Sequence, residues 1–433
     1  MKVSYYNIYS DIGSETVIYN TLYDGLIIVP KQIADMVRHH KIEFIDLKEL
    51  NYLQEAGIII EDQCNELDFY QQCRKYHREH EQRMHVMLTI TNICNCSCEY
   101  CFEAKQKNKV ISKSGLEVIR KFIIENLKIH SIKTLCIDFF GGEPLLFPEI
   151  VIREMEYYIE ECANLKVSVK FRFYTNGTLI NSDLLLFCAK NKECIKDFQI
   201  TLDGPKNIHD LQRPLKNKLS SYDITTRNFQ RLNQNGIDFV IRINVNKKNI
   251  NEIEKLLDEL DKLGLSGCKL AFYGIQSMSH ACADYQFAFE GNEFSFVKIK
   301  LIVLARSKGF KVSYGLSPSY LYCSAHCRDS YIINYKLDVF KCALLQSDDQ
   351  YKIGHLDDNG NLKIEGNVLS DWNNSSPLSE PKCRKCVLLP LCGGGGSGVS
   401  KFKTGKYAAG LCGDYNIKVI KQVLKNMYER GDF

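Results

Sequence analysis

From His85 to Ser307 short apolar runs of strand character alternate with longer helical runs, and that alternation restricts the chain more than any other feature. Strands are expected at His85–Thr91, Thr134–Phe140, Val167–Tyr174, Phe198–Leu202, Phe239–Val245 and Lys269–Tyr273. Helices are expected between and after them, at Ser112–Leu127, Pro148–Ala163, Ser182–Asn191, Tyr222–Asn235, Ile250–Leu263 and Asn292–Ser307. Such units fold as a parallel sheet with helices on its outer face, and six predict a partial (β/α)6 barrel with chemistry at the C-terminal strand ends.

The loop after the first strand reads Thr91-Asn-Ile-Cys-Asn-Cys-Ser-Cys-Glu-Tyr-Cys-Phe-Glu. Cys94, Cys98 and Cys101 are spaced CxxxCxxC and supply three thiolates. Zinc cages normally close at four ligands, whereas an iron-sulfur cube held by three leaves one iron open. A zinc site with Cys96 as fourth ligand is the competing reading. After the second strand comes Phe140-Gly-Gly-Glu-Pro144, in which Gly141 and Gly142 permit close backbone approach and Glu143 offers a carboxylate that can receive an ammonium group. By itself this is also ordinary turn chemistry. Tyr174-Thr-Asn-Gly177 follows the third strand and Gln199-Ile-Thr-Leu-Asp-Gly-Pro205 the fourth, with His209, Asp210 and Arg213 beyond. Arg242 and Asn244, two positions apart on the fifth, share one strand face.

Composition removes several alternatives. With 433 residues and 45% apolar content the chain can bury more than one core, so two or three domains are expected. A net charge of +4 without long blocks of one sign gives no reason to expect nucleic acid. No apolar run approaches about 18 residues and the N-terminus lacks a signal-peptide pattern, so a cytoplasmic protein without membrane association is expected. Nineteen cysteines in such a chain point to metal or cluster ligation in the motifs rather than to disulfides. The isolated Cys64, Cys73, Cys136, Cys162, Cys188, Cys194, Cys268 and Cys282 read as small apolar residues.

Residues 1–82 form a separate expected module. Strands at Ser4–Ile12 and Glu15–Pro30, helices at Lys31–His40 and Asp46–Ala56, and a strand at Ile58–Ile60 suggest a winged helix-turn-helix. Its second helix carries Asp46, Glu49 and Glu55, a poor face for phosphates, so peptide capture on a sheet edge is the better expectation. The basic stretch Cys73–Arg83 reads as a solvated connecting helix without chemistry. At the other end of the chain, Cys323, Cys327, Cys342, Cys383, Cys386, Cys392 and Cys412 form a second cysteine-rich region. On spacing alone, CxxC-x5-C with a distant Cys412 suits zinc or an iron-sulfur cluster equally.

Taken together, residues 84–420 resemble radical S-adenosylmethionine (radical SAM) enzymes with a SPASM extension, which binds auxiliary 4Fe-4S clusters. The resemblance implies a barrel over 83–310 and a cysteine-rich extension with a C-terminal helix over 311–433. It implies that Cys94, Cys98 and Cys101 hold a 4Fe-4S cluster whose open iron binds S-adenosylmethionine. Tyr100, Gly141, Gly142, Glu143, Asn176, Thr201, Arg242 and Asn244 would contact that cofactor. Reductive cleavage would yield a 5′-deoxyadenosyl radical, with flavodoxin or ferredoxin as electron donor. Cys383, Cys386, Cys392 and Cys412 would hold one auxiliary cluster, and Cys323, Cys327 and Cys342 another. In the latter, Gly396 stands where the family has a fourth cysteine, and Leu337 replaces a usual glycine. The N-terminal module is similar to leader-recognition domains of ribosomal-peptide maturases, which implies a precursor peptide as partner and a thioether or carbon-carbon crosslink as product. Two alternatives remain: a formylglycine-generating anaerobic sulfatase maturase, and a zinc-binding winged-helix regulator.

Overall fold

The computed structural model describes residues 1–101, 103, 108–276, 284–412 and 415–432; Phe102 and Cys282 lie outside the described residues. Six parallel strands occupy the expected positions: β6 (Arg83–Thr91), β7 (Thr134–Gly141), β8 (Ser168–Thr175), β9 (Ile195–Thr201), β10 (Phe239–Val245) and β11 (Lys269–Gly274). Helices α4 (Lys113–Ile129), α5 (Pro148–Asn164), α6 (Ser182–Lys190), α8 (Ser221–Gln234), α9 (Ile253–Lys262) and α10 (Glu293–Ser307) alternate with them; α7 (Lys206–Gln212) is a short additional helix. Their starts are written in the sequence, since Ser112, Asn181 and Ser220 each accept a hydrogen bond from a backbone N–H of the first turn.

Alternate strand residues such as Val86, Ile137, Phe171, Phe198 and Ile241 are completely buried and share one core with the helices. Phe173 stacks on Phe139 at 5.4 Å and on Phe198 at 4.1 Å, tying three neighbouring strands together. The other face is polar and partly buried, carrying His85, Asp138, Arg172, Asp197, Arg242 and Asn244. Because a strand alternates its faces with period two, these residues line the inner side of the curved sheet.

The sheet does not stop at the barrel. On the outer edge of β6, β12 (Ser330–Asn334) adds in parallel, followed by antiparallel β13 (Asp338–Phe340), β14 (Gly354–Leu356) and β15 (Leu362–Ile364). The cysteine-rich region thus continues the barrel's own hydrogen-bond ladder.

At the N-terminus, β2 (Asn7–Ile12), β3 (Glu15–Asn20) and β4 (Leu26–Pro30) form an antiparallel sheet; β1 (Lys2–Val3) pairs with β5 (Ile59–Ile60). α1 (Lys31–Arg38) and α2 (Leu47–Glu55) lie between β4 and β5. The third helix corrects a sequence expectation. It spans Glu66–Glu79, starting earlier than Cys73, and it is docked rather than solvated. Tyr70 and Arg74 are buried, and both donate hydrogen bonds to the Tyr320 carbonyl, at 3.2 Å each. The basic composition of Cys73–Arg83 disguised this, because only one side of the helix, carrying Glu66, Tyr70 and Arg74, faces the protein.

The module is fastened to the cysteine-rich region at further points. Tyr5 Oη donates to Lys385 O, Thr21 Oγ1 donates to Val387 O, and Tyr6, Leu22 and Tyr70 pack with Cys383 and Leu389. The C-terminal helix Ile417–Arg430 closes the joint, with Ile420 and Leu424 against Ile8, Val17 and Tyr19. Removing residues 1–82 is therefore expected to expose the Cys383–Cys392 loop. Limited proteolysis should cut within 377–392 in the truncated chain and not in the full one; equal resistance of both would show that the joint carries no stability.

Candidate radical SAM site

The cysteine loop is stitched to its surroundings by backbone. On one side Gly142 N donates to Thr91 O at 2.9 Å and Glu143 N to Ile93 O at 2.8 Å. A Cβ on Gly141 would sit 2.3 Å from Thr91 O, and one on Gly142 2.3 Å from Ile93 O. The close approach that requires glycine here is thus to the cysteine loop itself, where the sequence suggested a ligand. On the other side Ser97 N donates to Pro214 O, Glu99 N to Gln212 O and Lys216 N to Asn95 O, so residues 212–216 back the loop like an antiparallel strand.

Glu143 is 1% exposed and accepts from Leu145 N, Thr175 Oγ1 and Asn176 N at 3.0, 2.6 and 2.8 Å. Burial raises its pKa against these hydrogen bonds. Three of its roughly four acceptor positions are spent on joining the turns after β7 and β8. Asn176 Nδ2 continues the join by donating to Asn95 Oδ1 at 2.7 Å, with Cys94 Sγ at 3.9 Å. Four of the residues expected at the site, Cys94, Gly142, Glu143 and Asn176, are therefore brought together.

Tyr100 turns inward. Its hydroxyl donates to Asp203 Oδ2 and accepts from Arg213 Nη1 at 2.7 Å and Asn244 Nδ2 at 3.2 Å. Asn244 N also donates to the Asp203 carboxylate, at 2.9 Å. Arg242 Nε donates to Asn244 Oδ1 at 2.9 Å, and its guanidinium lies 4.0 Å over the Tyr273 ring. Thr201 ends β9 beside Arg242 in register, so Thr201, Arg242 and Asn244 share the strand ends. Asp203 and Arg213 were not assigned a role from sequence; their signal was ionisable residues in segments otherwise rich in buried positions. Deeper on the inner face His85 meets Asp138 at 2.8 Å, and Arg172 donates to both oxygens of Asp197 at 2.8 and 3.0 Å. Ionisable residues at alternate positions of central parallel strands, which otherwise read as continuous apolar runs, were the available clue.

The thiols differ in environment. Cys96 is buried, and its thiol donates to Cys94 and Cys98; with that hydrogen bond as the main cause, and Arg213 adding to it, Cys98 is lowered from the ordinary thiol value. Burial pushes Cys101 up to about 12. Cys101 is accessible to water-sized contact even though surrounding protein dominates its environment, and so is Cys323, raised by burial. Among the described residues no three His, Cys, Asp or Glu side chains converge as one metal ion demands. A mononuclear zinc cage is thus not preformed, whereas a cubane takes each thiolate on a different iron and suits a spread donor set.

In the extension, Cys323 lies within electrostatic reach of both Cys327 and Cys342, and the Lys341 amine within reach of Cys323 and Cys327. The Gly396 position faces the Tyr322 ring, and a Cβ on Gly398 would collide with Cys342 Sγ. Gly393, Gly394 and Gly395 all have φ between 58 and 91°, and a Cβ on Gly395 would meet Leu411 O at 2.3 Å, so the glycine run is demanded by its wrapping path. Leu337 has φ 67°, the left-handed conformation for which glycine is the unstrained residue. Cys383, Cys386, Cys392 and Cys412 lie within electrostatic reach of one another, and burial raises the first three.

Residues 88–260 match the sequence model of the Radical SAM superfamily. The chain therefore carries a radical SAM domain. It is 24% identical over 320 residues to the cysteine-type anaerobic sulfatase-maturating enzyme of Clostridium novyi, covering 70% of this chain and 84% of that one. Its fold is similar to that of native anSMEcpe with bound AdoMet and Cp18Cys peptide, at TM-score 0.60 and 17% identity, covering 80% of this chain and 97% of that one. It is also similar to Streptococcus suis SuiB bound to precursor peptide SuiA, at TM-score 0.55 and 14% identity, covering 94% of this chain and 98% of that one. Too little of the chain lies outside the second match to hold residues 1–82. Among the described residues no helix is long and apolar enough to cross a membrane.

One more group at this site is legible by its environment. Glu103 accepts a hydrogen bond from Gln346 Nε2 at 3.0 Å, Gln346 in turn accepts from Thr89 Oγ1 at 2.8 Å, and burial pushes the Glu103 carboxyl up to about 7. A carboxyl whose folded pKa exceeds its unfolded value destabilises the fold progressively as pH rises from about 4.3 towards 7. Glu103→Gln is expected to remove that loss, raising the melting temperature at pH 8 relative to wild type but not at pH 4; an equal change at both values would contradict the assignment.

Proposed function

We propose that this radical SAM enzyme is a peptide maturase that removes a hydrogen atom from a ribosomally made precursor and closes a thioether or carbon-carbon crosslink. The reading is carried by the N-terminal module being mounted directly on the cysteine-rich extension. β4 is an edge strand of its sheet, and an extended peptide can add to such an edge through main-chain hydrogen bonds. Its captured leader would leave the following segment close to the extension that continues the barrel sheet.

In this reading Cys94, Cys98 and Cys101 would hold the 4Fe-4S cluster to which S-adenosylmethionine binds. When bound, the cluster and S-adenosylmethionine would together supply a 5′-deoxyadenosyl radical, with a flavodoxin or ferredoxin as electron donor. Gly142, Glu143 and Asn176 fix the loop that carries the thiolates. Thr201 and Asn244 offer a hydroxyl and an amide to the ribose, and Arg242, braced by Asn244 and Tyr273, offers its charge to the cofactor carboxylate. The polar inner face below, with His85 paired to Asp138 and Arg172 to Asp197, keeps its charges internally satisfied and leaves the neighbouring Tyr174 and Phe140 to contact an uncharged side chain. The second cysteine sets, Cys323/Cys327/Cys342 and Cys383/Cys386/Cys392/Cys412, would hold auxiliary clusters, which would supply an electron acceptor.

Similarity to the Clostridium novyi enzyme favours a second reading, oxidation of a peptidyl cysteine or serine to formylglycine. Anaerobic reconstitution with a strong reductant distinguishes the outcomes. The wild-type chain is expected to release 5′-deoxyadenosine and Cys98→Ala to release none; equal release from both would remove the cluster assignment. With a cysteine-containing precursor peptide, a crosslinked product lighter by two hydrogen atoms supports the first reading, and an aldehyde at the cysteine position supports the second.

A further inference from the structure

We infer that Arg213 is a positioning residue for electron entry: its buried guanidinium, pinned against the cysteine loop, supplies the fixed positive charge that makes the site-bearing cluster easier to reduce. The inference deepens the cluster reading above and rests on it.

The placement is specific. Arg213 caps the end of α7, its backbone N–H donating to His209 O at 2.8 Å, and the chain then runs antiparallel to the cysteine loop through the Pro214, Leu215 and Lys216 contacts. This pairing sets Arg213 opposite Cys98 by backbone register, so the side chain need not search for its position. The guanidinium is 9% exposed as a residue and is held by Tyr100 Oη at 2.7 Å, with Asp203 Oδ2 at 3.8 Å. Ser221 Oγ fixes the adjoining backbone by donating to Arg213 O at 2.9 Å.

Arg213 cannot shed its proton in a protein, so burial leaves a permanent charge there. The countercharge of Asp203 does not cancel it at the loop. The Asp203 carboxylate is engaged by Tyr100 Oη and Asn244 N on the β9–β10 side and stands 3.8 Å from the guanidinium, whereas the backbone register sets Arg213 opposite Cys98. The charged groups around this point are Arg213, Asp203, Glu143, Arg242 and the thiols themselves; His209, buried on α7, is held neutral by desolvation and by Arg213. Reduction adds one negative charge to a group ligated by Cys98. In a low-dielectric surround an uncancelled cation beside that ligand favours the more negative state, which is how net charge tunes cluster potentials.

Redox titration of the anaerobically reconstituted full chain tests this, monitoring by electron paramagnetic resonance the signal that changes on adding S-adenosylmethionine. Arg213→Met is expected to bind iron as wild type does and to shift the midpoint to a more negative value, while Arg213→Lys keeps it close to wild type. Because Arg213→Met strands the Asp203 carboxylate, the double variant Arg213→Met/Asp203→Asn provides a charge-neutral control. It is expected to shift the midpoint in the same direction by a smaller amount. An unmoved or less negative midpoint in an iron-replete Met variant overturns the inference. So does loss of the cluster from Arg213→Lys, because the loop would then require the shape of arginine rather than its charge. Loss of iron from both Met variants overturns it as well, because Arg213 would then be needed to hold the loop together rather than to ease electron entry. A wild-type chain without any responsive signal would instead overturn the cluster reading itself.

Discussion

The backbone ladder on both flanks of the cysteine loop is the constraint from which the rest follows. A loop of closely spaced thiols has little intrinsic structure, since its side chains repel once ionised and its residues have no helix or strand to enter. Here the Gly141–Gly142 turn contacts it on one side and the 212–216 segment on the other, each through main-chain hydrogen bonds. Glycine is needed on the first side because a Cβ would displace the loop carbonyls. Glu143 then links this turn to the end of β8, so three strand ends and the loop move as one unit. Preorganisation of that kind is what a radical-generating site requires, because a bound cofactor must be oriented and kept from water.

A second consequence concerns the relation between the ends of the chain. The N-terminal module and the cysteine-rich extension are far apart in sequence and joined in space by Arg74, Tyr70, Tyr320 and the C-terminal helix. Arg74 is a buried cation whose hydrogen bonds go to main-chain carbonyls rather than to a carboxylate, an arrangement that depends on both partners keeping their places. The β12 strand, meanwhile, extends the barrel sheet into the extension. The module, the extension and the barrel therefore communicate through packed structure rather than through flexible linkers.

Much of this architecture was legible in the residues. The strand-helix periodicity places all six barrel strands, because the apolar face is repeated on each and the helices after the first, third and fourth strands start at side-chain caps. The pairing of Arg242 with Asn244 on one face follows from period two. What sequence could not disclose were long-range uses of polar residues. Tyr100 reads as an aromatic beside a cysteine, yet its hydroxyl meets Asp203, Arg213 and Asn244, partners 103, 113 and 144 positions away. Cys73–Arg83 reads as a solvated helix because its buried face is defined by only a few side chains. The four glycines after Cys392 look like a spacer, and their need becomes evident only once Leu411, Tyr322 and Pro377 are seen to crowd them.

The central claim is that Cys94, Cys98 and Cys101 carry a cluster with one iron open to S-adenosylmethionine. Electron-nuclear double resonance on the reduced, anaerobically reconstituted protein, with the methionyl amino nitrogen and carboxylate oxygens of the cofactor isotopically labelled, reads this directly. Hyperfine coupling from both labels to the cluster is the predicted result. A cluster signal that carries neither coupling at saturating cofactor would contradict the account.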